Sequence, residues 1–312
     1  MDDVKERSQE FKRNVELEAL LKEINTDLYP TERALLQQEI AEYPVIFVMG
    51  ALRSGSTLIV QWLASTGEFA YPSNMLSRFY MSPIIGSKIQ RLLTDPKYNF
   101  RNEIMDFDTN ISFNSNNGKT RGALEPNEFW YFWRRFLPDD LRGYTSEDLL
   151  KDIDIQTMRR ELWGMAQVFG KPVALKGMIC NYHIPFLNQV FPKAVFISMH
   201  RNMNSQVRSV LEARKRQYGS SEKWYSFLIP EYEELSKISV PEVQARRQIE
   251  CINQAVAEGL ETVPDDKKIQ VKYEQFCQNP EYVYHEIQKK LEKQNFFISE
   301  DYNGKKSFEA RM

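Results

Sequence analysis

Hydrophobic positions along the chain form a few short runs, and longer segments with helical spacing separate them. The clearest runs, which are mostly apolar and predict strands, lie at residues 44–49, 172–176, 194–199 and 268–274. Helical spacing between them predicts helices over residues 141–169 and 241–261, and residues 67–72 are predicted to form a further short strand. The chain is therefore predicted to form one α/β domain with helical additions.

Residues 1–40 show amphipathic helical spacing with a proline in the middle. The pattern predicts one or two helices interrupted near Pro30, because proline lacks an N–H and clashes with the preceding turn. We expect this N-terminal helical extension to provide packing or dimer-forming surface, which makes a homodimer a candidate assembly. Residues 41–312 are expected to form the single α/β domain.

The composition describes a soluble globular chain: 42% of its 312 residues are hydrophobic and 27% are charged. A formal net charge of −2 gives no global attraction to nucleic acid or to an anionic membrane. No apolar run approaches the roughly 18 residues of a membrane span, and the charged N-terminus has no signal-peptide core. The three cysteines lack C-x-x-C spacing, so we expect neither disulfides nor a zinc site, and a cytoplasmic location.

The first strand candidate runs into a loop with two glycines, Gly50 and Gly55, and a predicted helix opens directly from this loop. Unpaired N–H groups at a helix start attract anions, and glycines let an anion approach closely. The spacing matches the triphosphate loop G-x-x-x-x-G-K-[ST], but Ser56 replaces its lysine and Arg53 is the only cation. The loop therefore predicts an anion other than a nucleoside triphosphate, with an ordinary turn as the alternative.

A second strand-to-helix junction carries an arginine and a serine. Arg201 follows the third strand candidate, and Ser209 lies eight residues later on a helix predicted to begin near Asn204. Arginine suits anion binding because its planar fork meets phosphate oxygens bidentately. Lys176 ends the second strand candidate, where a cation faces the crevice in which open α/β sheets bind ligands; a surface lysine is the alternative.

The most aromatic segment, residues 122–136, follows a polar loop at residues 106–121 and contains two carboxylates, Glu125 and Glu128. In a partly desolvated cleft the pKa of a carboxylate rises toward neutrality, which suits a general base. Alternatively, both residues only favour a helix N-terminus through its dipole. His183 is a further candidate base, although a lone histidine is more often structural.

The sequence R-S-G-S-T-L from Arg53 resembles the 5′-phosphosulfate loop of sulfotransferases, which use 3′-phosphoadenosine 5′-phosphosulfate (PAPS) as sulfuryl donor. The Arg201–Ser209 pair resembles the family's 3′-phosphate motif, R-D-P-x-x-x-x-x-S, with Asn-Met in place of Asp-Pro. Two partial motifs in the family's order are harder to obtain by accident than either one alone. The Y-E-x-F segment from Tyr273 also resembles the family and is interpreted as structural.

The resemblance to soluble bacterial sulfotransferases implies a P-loop-like three-layer fold, with a central parallel sheet flanked by helices. It implies PAPS as co-substrate, adenosine 3′,5′-bisphosphate as product, and no metal, because cationic side chains take the metal's place. The donor-binding residues that it implies are Arg53, Ser54, Gly55, Ser56, Thr57, Leu58, Arg201 and Ser209.

In the implied reaction a hydroxyl or amine acceptor loses its proton to Glu125, Glu128 or His183 and attacks the sulfur. Arg53 and Lys176 neutralise the growing charge. The aromatic central region favours a small amphipathic, lipid or glycan alcohol as acceptor. The competing classes are a P-loop nucleotide kinase or NTPase, and a non-catalytic relative that binds adenosine bisphosphate.

Overall fold

The computed structural model describes residues 7–101, 103, 104, 107 and 110–310. Its centre is a four-stranded parallel sheet with the strand order β2-β1-β3-β4. The strands are β1 (Val45–Met49), β2 (Val173–Lys176), β3 (Ala194–His200) and β4 (Lys268–Lys272). The first three strands are almost entirely buried, as expected for apolar runs in a parallel sheet that is covered on both faces.

Within the described residues, twelve α-helices surround the sheet. They are α1 (Val15–Leu35), α2 (Ser56–Ser65), α3 (Pro83–Thr94), α4 (Trp130–Phe136), α5 (Ser146–Asp152), α6 (Ile155–Phe169), α7 (Ile184–Val190), α8 (Met203–Tyr218), α9 (Tyr232–Leu235), α10 (Pro241–Glu261), α11 (Tyr273–Gln278) and α12 (Glu281–Glu292). Phe47 and Phe196 fill the core on one face of the sheet, and Ile46 and Val195 fill the core on the other. This arrangement confirms the predicted three-layer α/β fold.

The carboxyl ends of the strands meet at one edge of the sheet because all four strands run in the same direction. Val48, near the end of β1, is paired with Lys176 of β2 and with Ile197 of β3. The loops that follow these three strands therefore start side by side. Candidate residues from distant parts of the sequence are brought together at this edge.

Two local predictions are wrong. The N-terminal helix α1 continues through Pro30 without interruption, because contacts to the rest of the protein support it on both sides. Asn25 bonds the carbonyl of Arg78 at 2.7 Å, and Glu32 accepts from the N–H of Ile84 at 2.8 Å. The short strand that we expected near residues 67–72 is reduced to a single bridge from Ala70 to β2.

Residues 1–6 of the expected extension and residues 106, 108 and 109 of the polar loop lie outside the described residues. Elsewhere in the chain, within the described residues, no helix combines the length and the apolar character that a membrane crossing needs. No group of three or more His, Cys, Asp or Glu side chains in this part of the chain is arranged to hold a metal ion. All three cysteines are free, and Cys180 and Cys277 are buried.

Two fully buried carboxylates connect four of the helices. Glu32 of α1 accepts from the N–H groups of Ile84 and Ile85 in α3, at 2.8 and 3.0 Å. Glu161 of α6 accepts two bonds from Arg135 of α4, at 2.7 and 3.1 Å. Burial is the main cause that raises the pKa of Glu32 to about 7 and that of Glu161 to about 8, against the opposing effect of Arg135.

We expect the stability of the protein to fall, relative to that of a Glu161→Gln variant, as the pH rises from about 5 to about 8. A carboxyl whose pKa is raised by folding stabilises the fold fully below its unfolded pKa, roughly 4.3, and this contribution is lost as the pH rises through its folded pKa. The glutamine stays neutral throughout. Urea unfolding at several pH values measures the difference, and Glu23→Gln, on the exposed face of α1, is the matched control. A pH-independent difference would contradict the buried-carboxyl account.

Candidate functional site

The loop between β1 and α2, residues 50–55, is called here the glycine loop. Three of its residues have positive φ: Gly50 at 131°, Arg53 at 61° and Gly55 at 100°. A Cβ at Gly50 would lie 2.8 Å from the carbonyl of Met199, and a Cβ at Gly55 would collide with the ring of Tyr273. Both positions therefore require glycine, for the backbone angle and for the close approach of neighbouring atoms.

Two buried amide side chains hold the glycine loop in place. Asn181 accepts from the N–H of Gly50 at 3.1 Å and donates to its carbonyl at 2.8 Å. Gln206 donates to the carbonyl of Leu52 at 2.8 Å. Neither residue was predicted from the sequence, because they lie 131 and 154 positions from their partners. Their positions shortly after β2 and β3 are the only sequence signal that placed them at this edge of the sheet.

The two motif arginines and the motif serine meet in one group, called here the arginine cluster: Arg53, Arg201 and Ser209. Arg53 Nε donates to Ser209 Oγ at 3.0 Å, and Arg201 Nη1 donates to the carbonyl of Arg53 at 3.0 Å. The guanidinium of Arg201 lies 4.6 Å from the ring centroid of Tyr273, so this tyrosine both supports an arginine and packs against Gly55. Burial lowers the pKa of Arg201 from its ordinary value, which indicates that its charge is poorly solvated.

A second group, called here the lysine cluster, consists of Thr57, Glu128 and Lys176. Lys176 Nζ donates to Glu128 Oε1 at 2.6 Å and to Thr57 Oγ1 at 2.8 Å. The indole N–H of Trp130 donates to the other carboxylate oxygen of Glu128. The side chain of Lys176 is 8% exposed and that of Glu128 is 31% exposed, so the cluster opens to solvent on the carboxylate side.

The protonation of Glu128 is set by two opposing effects. Burial disfavours the charged carboxylate, while the Lys176 ammonium and the hydrogen bonds of Lys176 and Trp130 favour it. The attractive interactions prevail, so the pKa of Glu128 lies below its ordinary value and not, as expected for a carboxylate in a desolvated cleft, above it. This carboxylate is ionised at neutral pH and is able to accept a proton.

The other two candidate bases have different surroundings. Glu125 is 4% exposed, accepts from Gln61 Nε2 at 2.9 Å and also accepts from the N–H of Ser112. His183 is also 4% exposed and precedes α7, and burial lowers its pKa against the effect of a hydrogen bond to the backbone of Leu141. Among the described residues, neither side chain bonds to Lys176. Only Glu128 joins the lysine cluster.

The start of α2 offers further polar groups. No side chain caps this helix within the described residues, and the fully buried Ser54 hydroxyl has no hydrogen-bond partner there. Ser56 Oγ contacts the sulfur of Met178 at 3.1 Å. Leu58 packs against the core on the face of the sheet that contains Ile46 and Val195. An uncapped helix start, an unsatisfied buried hydroxyl and nearby cations fit a phosphate-type anion such as the donor implied by the motifs.

Comparisons with known proteins identify the family and the fold of this chain. A family model described as Sulfotransferase family matches residues 44–294. The crystal structure of sulfotransferase STF9 from Mycobacterium avium is similar, with a TM-score of 0.55 at 19% identity, over 88% of this chain and 69% of that one. Sulfotransferase STF1 from Mycobacterium tuberculosis H37Rv has a TM-score of 0.54 at 14% identity, over 90% and 74%. At these identities the structures show a shared fold. No match was found among curated proteins.

Proposed function

The chain belongs to the sulfotransferase family, and we propose that it moves a sulfuryl group from PAPS to a hydroxyl or amine acceptor. The arginine cluster is the observation that carries this proposal. It joins Arg53 of the first motif to Arg201 and Ser209 of the second, which are 148 and 156 residues away. A continuous anion-binding surface of this kind suits a donor that carries a 3′-phosphate and a 5′-phosphosulfate.

Each end of the donor is assigned to its own set of residues. Arg201 and Ser209 would hold the 3′-phosphate, and the ring of Tyr273 packs against the guanidinium of Arg201. When bound, the donor supplies a sulfuryl group on a 5′-phosphate leaving group. Its 5′ side would be held by Arg53, Ser54, Gly55, Ser56, Thr57 and Leu58, whose backbone N–H and hydroxyl groups gather at the start of α2.

We assign the role of general base to Glu128. Its carboxylate is ionised and partly open, and it adjoins Lys176 at 2.6 Å. It would take the proton of the acceptor as the new bond to sulfur forms and the bond from sulfur to the 5′-phosphate oxygen breaks. Lys176 and Arg53 would stabilise the negative charge that develops on the oxygens of the sulfuryl group and of the 5′-phosphate leaving group. Glu125 and His183 remain the alternative bases.

The acceptor is proposed to be a small amphipathic, lipid or glycan alcohol. Next to Glu128, the half-buried Trp130 presents aromatic surface beside the lysine cluster, and its indole N–H donates to the carboxylate. A ring in this position suits an apolar or sugar face beside the reacting hydroxyl.

Thermal unfolding tests the donor site. We expect adenosine 3′,5′-bisphosphate at about 100 times its Kd to stabilise the protein by roughly 2.7 kcal/mol. Arg201→Ala is expected to weaken the binding of the bisphosphate about 10–100-fold, because charge-assisted bonds to the 3′-phosphate are worth about 1.5–3 kcal/mol. The affinity for adenosine 5′-phosphate, which lacks this group, should stay within about twofold of that of the wild type. Arg247→Ala, at an exposed position of α10, is the matched control.

If Arg201→Ala weakened the binding of both nucleotides equally, Arg201 would not be the residue that binds the 3′-phosphate. Stabilisation by ATP with magnesium, and none by the bisphosphate, would reject the proposal in favour of a P-loop kinase or NTPase. Binding of PAPS without transfer to any acceptor in a panel of aryl, alkyl and sugar alcohols would support a non-catalytic relative.

A further inference from the structure

A tight turn, residues 116–119, lies against the lysine cluster. Asn116 and Lys119 exchange two backbone hydrogen bonds of 2.8 and 2.9 Å, and the two central residues, Asn117 and Gly118, have φ values of 50° and 87°. Two successive positive φ values define a turn that asparagine followed by glycine adopts with little strain. This turn belongs to the polar loop, to which the sequence analysis assigned no specific role.

Gly118 is the point of contact between the turn and the cluster. A Cβ at this position would lie 3.1 Å from Glu128 Oε1, 3.6 Å from Thr57 Oγ1 and 3.7 Å from Lys176 Nζ. The backbone of the turn therefore covers all three groups of the lysine cluster from one side. Because Glu128 is 31% exposed, the cluster is still open on another side, where an acceptor has access to the carboxylate.

Asn117 fastens the turn to the body of the protein. Its Nδ2 donates to the carbonyl of Ala213 in α8 at 3.1 Å, and its Oδ1 accepts from Arg216 Nε at 3.0 Å. Its own carbonyl accepts from the hydroxyl of Tyr225 at 3.2 Å. Three bonds from one residue thus hold the turn against α8 and the segment that follows it.

We call the place beside the lysine cluster, where the sulfuryl group of the donor would lie, the sulfuryl subsite, and the 116–119 turn that covers the cluster its roof. We propose that Asn117 is a positioning residue that holds this roof over the sulfuryl subsite, so that the roof excludes water. The inference rests on the proposed function, because it needs PAPS as the donor. Water that reaches the subsite competes with the acceptor. Its oxygen bonds to sulfur, the bond from sulfur to the 5′-phosphate oxygen breaks, and Glu128 takes the proton, which leaves sulfate and adenosine 3′,5′-bisphosphate. A closed roof suppresses this side reaction.

Asn117→Gly is the test variant, because glycine keeps the positive φ of the turn and removes only the bonds to Ala213 and Arg216. The control is Asn295→Gly, at an exposed asparagine with a φ of 58° beyond α12. For each protein we would measure sulfate release from PAPS without acceptor at saturating donor, and the affinity for adenosine 3′,5′-bisphosphate. Arg216→Ala breaks one of the same bonds from the other side.

We expect Asn117→Gly to raise acceptor-independent sulfate release by about tenfold or more, with bisphosphate affinity within about threefold of the wild type. Arg216→Ala is expected to raise release less, and the double variant to add little to Asn117→Gly, because both changes open the same contact. Asn295→Gly should match the wild type. Unchanged or slower release from Asn117→Gly with normal bisphosphate affinity would overturn the roof alone. A wild type that does not bind the bisphosphate would overturn the proposed function and the roof together.

Discussion

Glu128→Gln is expected to lower the turnover of sulfuryl transfer by about 10²–10⁴-fold, because the amide cannot take the acceptor's proton. The amide keeps the size of the carboxylate and can accept from Lys176, but its NH2 group cannot accept from the indole N–H of Trp130. Donor affinity should stay within about threefold, since none of the groups assigned to the phosphates is changed.

Turnover with labelled PAPS, using an acceptor found in the alcohol panel, measures this effect. Glu125→Gln and His183→Gln are the matched variants, and both should keep turnover within about tenfold, because neither side chain bonds to Lys176 in the described residues. Loss of stability in Glu125→Gln is expected, since its buried carboxylate accepts two bonds. If Glu128→Gln kept full turnover and one of the matched variants lost turnover, the residue changed in that variant would be the base.

Lys176→Met is expected to lower turnover by about 10²–10³-fold, because a buried cation aimed at developing charge acts with little screening by water. The change should also alter the pH dependence of the rate. Burial raises the pKa of Glu128, and Lys176 makes the largest contribution that lowers it, so loss of the ammonium raises this pKa. The base then requires a higher pH to ionise, and the acidic limb of the rate profile moves to higher pH.

A pH–rate profile at saturating donor distinguishes this role from a merely structural one. Lys171→Met is the control, because this lysine is exposed just before β2. It should leave both the rate and the profile unchanged. If Lys176→Met lowered the rate without moving the acidic limb, Glu128 would not be the group whose ionisation limits the reaction.

The elements of the fold were accessible from the sequence, because local pattern specifies them. Apolar runs predicted the four strands, and the spacing that predicted a helix over residues 241–261 corresponds to α10. The errors arose where tertiary contacts override local preference. Proline predicted a break in α1, but buried bonds from Asn25 and Glu32 on either side support the helix. The division into an extension and a domain at residue 40 stays a prediction.

The residues of the candidate site likewise fall into those that local sequence pattern pointed to and those that only tertiary contacts brought in. The glycine loop and the Arg201–Ser209 pair were predicted as anion sites because each lies within a short segment whose spacing matches a motif. The roles of Asn181, Gln206 and Asn117 were missed, because the neighbours of an amide side chain in the sequence do not show which distant group it bonds. Each bonds to a backbone that is 96 or more positions away. Tyr273 was interpreted as structural, and its ring also supports Arg201.

The sequence alone determined the class of fold and the strand-to-helix junctions, since these depend on neighbouring residues and on the period of the apolar pattern. The anion that binds at these junctions stays a prediction. Three candidate bases remained open at that level. Only the tertiary structure brought Glu128 to within 2.6 Å of Lys176, and left Glu125 and His183 with other partners. The physical reason is that parallel strands bring distant loops to one edge of the sheet, where contacts depend on how whole elements pack.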